Sequence, residues 1–305
     1  MEYKADLFER VGPMEEVPSG IARQAPGYWK DIFGRLRKSK VGMACLFILL
    51  LLVSGAVLIP MLSQFSIADQ DLTRTNLGLL TDGHIFGTDK LGRDVFVRVW
   101  YGTRISLTIA FSAVLIDLVV GLIYGGVSGY FGGKLDELMM RVLDVVVAIP
   151  YLIIVILLMI VLQPGVTTII IAYATVGWTG MARLVRGQVI QLKEREYVLA
   201  SRLLGAGAWR IILRGLIPNT LGIVIVNLTL TIPSAIFTEA FLSYIGLGVQ
   251  IPLASLGTLA SEGTASLQTY PELLFVPALF LCITMLTFNL LGDTLRDLID
   301  PKYRE

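Results

Sequence analysis

The sequence predicts an all-α membrane protein of about six spanning helices, from three observations: apolar blocks long enough to cross a bilayer, charge biased between the joining segments, and 55% hydrophobic residues. That share, with a mean hydropathy of +0.73, exceeds the roughly 45–50% of soluble chains, so lipid rather than water is the main solvent. A span needs about 20 mostly apolar residues, and 41–62, 105–127, 138–162, 166–182, 220–247 and 273–291 supply them. The third block carries Arg141 and Asp144 near its start, spaced to pair along one helix face.

Taken in order, residues 1–40 form a tail ahead of the first span. Its first part, 1–27, has Pro13, Pro18 and Pro26, mixed charge and no apolar period, which predicts no packed structure. Near 28–38, Trp29, Ile32, Phe33 and Leu36 repeat at helical spacing while Lys30, Arg35, Arg37 and Lys38 point elsewhere. Two readings fit: an amphipathic helix on the inner leaflet, or the basic flank of a span. The polar tail is unlike a cleaved signal peptide, so the first span is expected to be retained. The remainder, 41–305, holds all six spans.

Lys and Arg near spans mark the cytoplasmic side. Arg35, Arg37, Lys38 and Lys40 precede the first span, and Arg183, Arg186, Lys193, Arg195, Arg202, Arg210 and Arg214 lie between the fourth and fifth. Both segments, and with six spans both termini, are expected to be cytoplasmic. Residues 248–271, which lack Lys and Arg, then lie outside. The external loop 63–104 is less tidy: it carries Arg74, Lys90, Arg93, Arg98 and Arg104, balanced by Asp69, Asp71, Asp82, Asp89 and Asp94.

Inside the spans, Gly121, Gly125 and Gly129 make two overlapping small-xxx-small steps, a surface for close helix packing within the chain. Cys45 and Cys282 are the only cysteines, and both lie in apolar blocks; a disulfide framework or zinc site is excluded, and packing is their expected role. The net charge of +1 gives no reason to expect nucleic acid.

Enzymatic chemistry finds few candidates. His84 is the only histidine, no HExxH occurs, and no GxxxxGK[ST] phosphate loop is present. The stretch 87–94, GTDKLGRD, lacks the Ser or Thr after its Lys and reads as a glycine-punctuated loop. Ionisable side chains within spans are expensive and hence candidates for function. Asp117, Asp144 and Glu239, with Asn227 and Asn289 as polar company, fit a proton relay, or an ion pair at Asp144 and a cavity-facing Glu239. Asp144, Asn227 and Glu239 are the candidates for lining a pathway.

The segment 188–218 is too polar for the membrane and reads as two short helices, 188–204 and 208–218, broken at Gly205-Ala206-Gly207. Tyr197, Val198, Ala200, Leu203 and Leu204 stand among basic residues, a face for a soluble partner or for the membrane surface.

Its residues go further. Glu196-Tyr197-Val198-Leu199-Ala200-Ser201-Arg202-Leu203-Leu204-Gly205-Ala206, with Arg210-Ile211 and Pro218-Asn219, resembles the EAA loop of bacterial ABC importer permeases in its peptide-transporter form. Leu199 stands where the triplet has Glu, Ser201 replaces its second Ala, and Ile217 replaces the Leu of a later Leu-Pro. Gly87-Thr88-Asp89-x-Leu91-Gly92-Arg93-Asp94, Tyr101-Gly102-x-Arg104-Ile105-Ser106-Leu107 and Phe241-Leu242-Ser243-x-x-Gly246-Leu247-Gly248 resemble the C-type subunit of the oligopeptide and dipeptide branch. The resemblance runs from about Trp29 to Asp300-Pro301.

It implies a type I ABC importer permease in the bacterial cell membrane, paired with a homologous B-type permease and fed by an external peptide-binding protein. Two cytoplasmic ATPases would hold ATP and magnesium, and this chain would bind no cofactor. Glu196, Tyr197, Leu199, Ala200, Ser201, Arg202, Gly205, Ala206, Arg210 and Pro218 would form the loop that docks on one ATPase. Nickel or another small solute as cargo, or a proton-coupled carrier working alone, are the other readings.

Overall fold

The computed structural model describes residues 28–299; the expectations for 1–27 and for Asp300-Pro301 lie outside them. Helix α1 (Tyr28–Lys38) meets helix α2 (Lys40–Leu62) at Ser39, whose hydroxyl caps α2 by accepting from the Gly42 N–H at 3.1 Å. The apolar stripe of α1 is divided. Ile32 and Leu36 are buried, Leu36 against Cys45 of α2 and Leu291, while Phe33 faces outward, so the tail helix rests partly on the chain itself.

Helix α3 (Val95–Phe131) begins earlier than the apolar block 105–127, capped by Asp94, whose Oδ1 accepts from the Val97 N–H at 2.7 Å. Its 37 residues reach roughly 55 Å, well beyond the roughly 30 Å of a hydrocarbon core.

The third apolar block is not one straight helix. Helices α4 (Gly133–Ala148) and α5 (Tyr151–Leu162) are bent by 75°. Pro150 is the cause: it donates no hydrogen bond and drives Ile149 out of the helical region, to φ −81° and ψ 122°. At roughly 24 and 18 Å neither piece crosses alone, and together with five long helices the pair makes six candidate spans. The break also re-aims α4. Asp144 does not pair with Arg141 but accepts from Nη2 of Arg183 at 2.8 Å.

Helices α6 (Val166–Val176) and α7 (Trp178–Leu192) run on as one span. Residues 188–192, expected in the polar segment, therefore belong to α7. Helix α8 (Glu196–Leu203) stands apart, and α9 (Ala208–Ile211) leads through a π-helical turn, Ile212–Leu216, into α10 (Ile217–Tyr244). Residues 208–218 are thus not a separate second helix but the start of the fifth span. Pro218 explains the π turn: lacking an N–H, it cannot take the Arg214 carbonyl in α register, and the wider turn makes room for its ring. Asn219 Nδ2 donates to the neighbouring Gly215 carbonyl at 2.6 Å. Helices α11 (Leu256–Thr264) and α12 (Glu272–Ile299) complete the described chain.

Helix α3 is the axis of the bundle, packed on α7, α10 and α2. Its glycine stripe faces α7: a Cβ on Gly125 would stand 2.3 Å from the Ala182 carbonyl oxygen, and one on Gly121 2.5 Å from Met181 Cγ. The small residues serve packing within the chain. Asp117, one turn before Gly121, continues this stripe; it is buried near Gly177, and its Oδ1 has no partner among the described residues. Of the cysteines, Cys45 is buried and Cys282 faces outward from α12.

The two ends of α3 differ in what they carry. Segment 63–94 and α11 gather at its N-terminal end, around Val95, Val99, Leu256 and Leu259. Helix α8 gathers at the other, where the Arg202 guanidinium lies over the Tyr130 ring, 4.9 Å from its centroid.

Candidate functional site

Helix α8 owes its form to its ends. Leu204 closes it, Gly205 takes φ +79°, and the Gly205 and Ala206 N–H groups donate back to the Arg202 and Ser201 carbonyls, each at 3.0 Å. This pair of bonds is a Schellman turn, which puts a left-handed residue just past the helix end, a place suited to glycine. Ser201 Oγ donates to the Tyr197 carbonyl at 2.7 Å, so its hydroxyl is used within the helix.

One side of α8 is held. Val198 is buried with Val185, Val189, Ile211, Ile212 and Leu216, tying α8 to α7 and to the root of α10. The opposite side is bare: Leu199, Leu203 and Leu204 are exposed, the last two by 89% and 88%, beside exposed Glu196, Ala200 and Arg202. Large apolar side chains this open beside exposed charge make a contact surface, whether for another protein or for the membrane. Tyr197, Ser201, Ala206 and Arg210 line a cleft of about 300 Å³ next to it. The sequence-predicted loop residues are thus brought together, with Pro218 exposed at the start of α10.

Supports that the sequence did not reveal hold this surface. Arg186 of α7 grips Asp136 of α4 with two parallel bonds, Nε to Oδ1 and Nη2 to Oδ2, both at 2.6 Å. Ser128 Oγ donates to the same carboxylate, and Lys193 Nζ donates to the Gly129 carbonyl at 3.0 Å. A fork on a carboxylate fixes both groups in orientation as well as in distance. Helix α7, which leads into α8, is thereby locked to α3 and α4.

The pathway candidates do not form one site. Glu239 was expected to face a cavity, yet it is fully buried: Ser106 Oγ of α3 donates to Oε2 and Ser243 Oγ of α10 to Oε1, each at 2.7 Å. Ser255 joins through Ser243 at 3.2 Å and caps α11. A buried carboxylate must find such donors or remain outside the core. Two sequence motifs therefore meet at Glu239, one through Ser106 and the other through Ser243. Asp144 sits on the surface with Arg183, and Asn227 is half-buried on α10, belonging to neither network.

At the N-terminal end of α3 the GTDKLGRD stretch builds a second buried knot. Asp89 Oδ2 accepts from Arg93 Nε at 2.6 Å and from Arg98 Nη1, and Glu262 Oε2 of α11 accepts from both arginines at 3.2 and 3.0 Å. Two cations and two anions leave the knot neutral, with both arginines 1% exposed. Gly92, at φ +71°, is needed because a Cβ would lie 1.9 Å from the Asp71 carbonyl oxygen. Two of the five basic residues of the 63–104 loop are therefore internal. The signal was the lone acid Glu262 in a segment without Lys or Arg.

A membrane-spanning bundle that holds a short, half-bare helix clear of the lipid at one end is the build of a transporter's membrane subunit. Comparison with known proteins narrows this. The family model "Binding-protein-dependent transport system inner membrane component" matches residues 117–305, and "N-terminal TM domain of oligopeptide transport permease C" matches 27–79. The chain belongs to the binding-protein-dependent inner membrane component family of ABC importer permeases.

Among its relatives is the dipeptide transport system permease protein DppC of Bacillus subtilis, 53% identical over 285 residues, 93% of this chain and 89% of that one. The oligopeptide transport system permease protein OppC of the same organism is 50% identical over 300 residues, 98% of each chain. OppC of Escherichia coli K12 is 43% identical, over 95% of this chain and 97% of its own. A chain of the MetNI methionine ABC transporter, in an inward-facing conformation, matches with a TM-score of 0.51 at 19% identity, over 67% of this chain and 96% of that chain. That likeness concerns the fold.

Proposed function

We propose that this chain is one of two permease subunits that together line a pathway for short peptides, released to them by an external binding protein. Its relatives carry dipeptide and oligopeptide names, and the shared machinery suits both. The second permease is a homologous B-type chain. Two ATPases bind ATP and magnesium on the cytoplasmic side; this chain binds neither and hydrolyses nothing.

The observation that carries the reading is the bare face of α8, Leu199, Leu203 and Leu204 beside Arg202, presented by a rigid Schellman turn. It is the docking surface for one ATPase. Closure of the ATPases on ATP draws the two docking helices together, and the clamp from Arg186 to Asp136 passes that shift to α3 and α4, a rigid-body route to alternating access. The α8 end is cytoplasmic because Arg195, Arg202, Arg210 and Arg214 stand on it or beside it in the chain. Both termini then lie inside.

Reconstitution tests this. With the second permease, ATPases, binding protein and enclosed ATP, vesicles are expected to take up labelled peptide, and omission of any component is expected to stop it. Uptake by this chain alone, driven by a proton gradient, would overturn the proposal.

A further inference from the structure

Of the basic residues between 63 and 104, Arg93 and Arg98 are consumed by the buried knot and Arg74 stands 3.6 Å from Asp71. Of the two that remain, Lys90 is exposed in the 63–94 segment, and Arg104 stands on a candidate spanning helix. Arg104 is exposed on α3 where the apolar block 105–127 begins, and among the described residues its side chain makes no hydrogen bond or ion pair. A cation at the edge of the hydrocarbon region is costly unless something compensates it.

Two recesses meet at Arg104. Toward the bilayer centre, α2 and α3 enclose a groove of about 410 Å³ whose walls include Val53, Val57, Leu107 and Phe111. Toward the 63–94 segment lies a cleft of about 290 Å³ with Ser63, Gln64, Ser66 and Tyr101 in its lining. Arg104 borders both. Along one face the order is apolar groove, single cation, and a mixed cleft in which those polar side chains stand beside Pro60, Met61, Phe65 and Ile67.

We propose that this face binds an anionic phospholipid from the leaflet on the 63–94 side. An acyl chain fills the groove, the phosphate accepts the Arg104 fork, and the headgroup hydroxyls enter the mixed cleft. A soluble anion would leave the groove unfilled, and a zwitterionic lipid would bring a headgroup cation that offsets its phosphate and weakens the pairing with Arg104. Mere snorkelling of Arg104 into the interface predicts no preference between headgroups.

The test is native mass spectrometry of the full chain in mild detergent, titrated with dioleoyl phosphatidylglycerol and, separately, dioleoyl phosphatidylcholine. Phosphatidylglycerol is expected to bind about tenfold more tightly, the scale of one charge-assisted contact. Arg104→Gln is expected to lower it to the phosphatidylcholine level, and Val57→Trp, which fills the groove, to weaken both lipids. Wild-type elution volume and helical circular dichroism check the folding of each variant. Should Arg104→Gln not fold, the headgroup preference of the unaltered chain and the Val57→Trp loss decide. Equal binding of the two lipids, or phosphatidylglycerol binding unchanged in Arg104→Gln, would overturn the proposal. Loss of the lipid on assembly with a second permease chain would also do so, assigning the groove to that chain.

Discussion

Replacing Gly205 tests the proposed docking turn most directly, because its cost is almost wholly backbone. The residue sits at φ +79°, and a Cβ there would meet no atom within 4 Å, so no clash complicates the reading. An ordinary L-residue in the left-handed region costs about 1–2 kcal/mol, and asparagine tolerates it better. Alanine should thus lower the population of the formed turn by a factor of about 5 to 30, asparagine by less. Proline goes further: its φ is locked near −65° and it loses the N–H that bonds the Arg202 carbonyl, for about 3 kcal/mol or more. The assay is ATP-driven peptide uptake by the complete assembly, normalised to the amount of chain in the membrane. The expected order is glycine, asparagine, alanine, proline, with proline inactive. Normal uptake by Gly205→Pro, or asparagine no better than alanine, would refute the reasoning.

Three more predictions follow from the packing. Gly125→Ala puts a methyl 2.3 Å from the Ala182 carbonyl and should lower the thermal stability of the detergent-solubilised chain by about 1–3 kcal/mol; Gly126→Ala, with only ordinary contact at 3.5 Å from Ile212, should be neutral. Glu262→Leu strips one anion from Arg93 and Arg98 and is expected to cost about 3 kcal/mol, the low end for a broken buried pair, since a quarter of the Glu262 side chain reaches solvent; a loss below about 1 kcal/mol, read from the same thermal scans, would contradict a buried cluster. Glu239→Gln retains one acceptor for Ser106 or Ser243 and should lower peptide uptake only slightly, whereas abolished uptake in a normally folded variant would revive the proton relay.

The broad architecture was legible because it rests on local quantities. An apolar block of about 20 residues must cross a bilayer wherever it stands in the chain, and the Glu196–Ala206 pattern carries its turn signal in Gly205. The third block, 138–162, was read as one span with no break because block composition says nothing of a bend, although the residue before a proline such as Pro150 is driven from helix geometry. Asp144 and Glu239 were harder. A charge within an apolar block announces that a partner is needed, not which partner, and Asp144 finds Arg183 39 residues away while Glu239 finds Ser106 133 residues away.

The sequence by itself determined the class of solvent, the apolar blocks that make up to six candidate crossings and the short helix that begins at Glu196, since each follows from composition or spacing within one segment. Only the tertiary structure decided that α7 is clamped to α4 by Arg186 and Asp136, that Arg93 and Arg98 are internal, and that Arg104 is left bare between two recesses. The physical reason is that pairing of charges depends on which helices touch. In this bundle that is set by the glycine stripe of α3 and the bend at Pro150, acting over separations that no periodicity along the chain records.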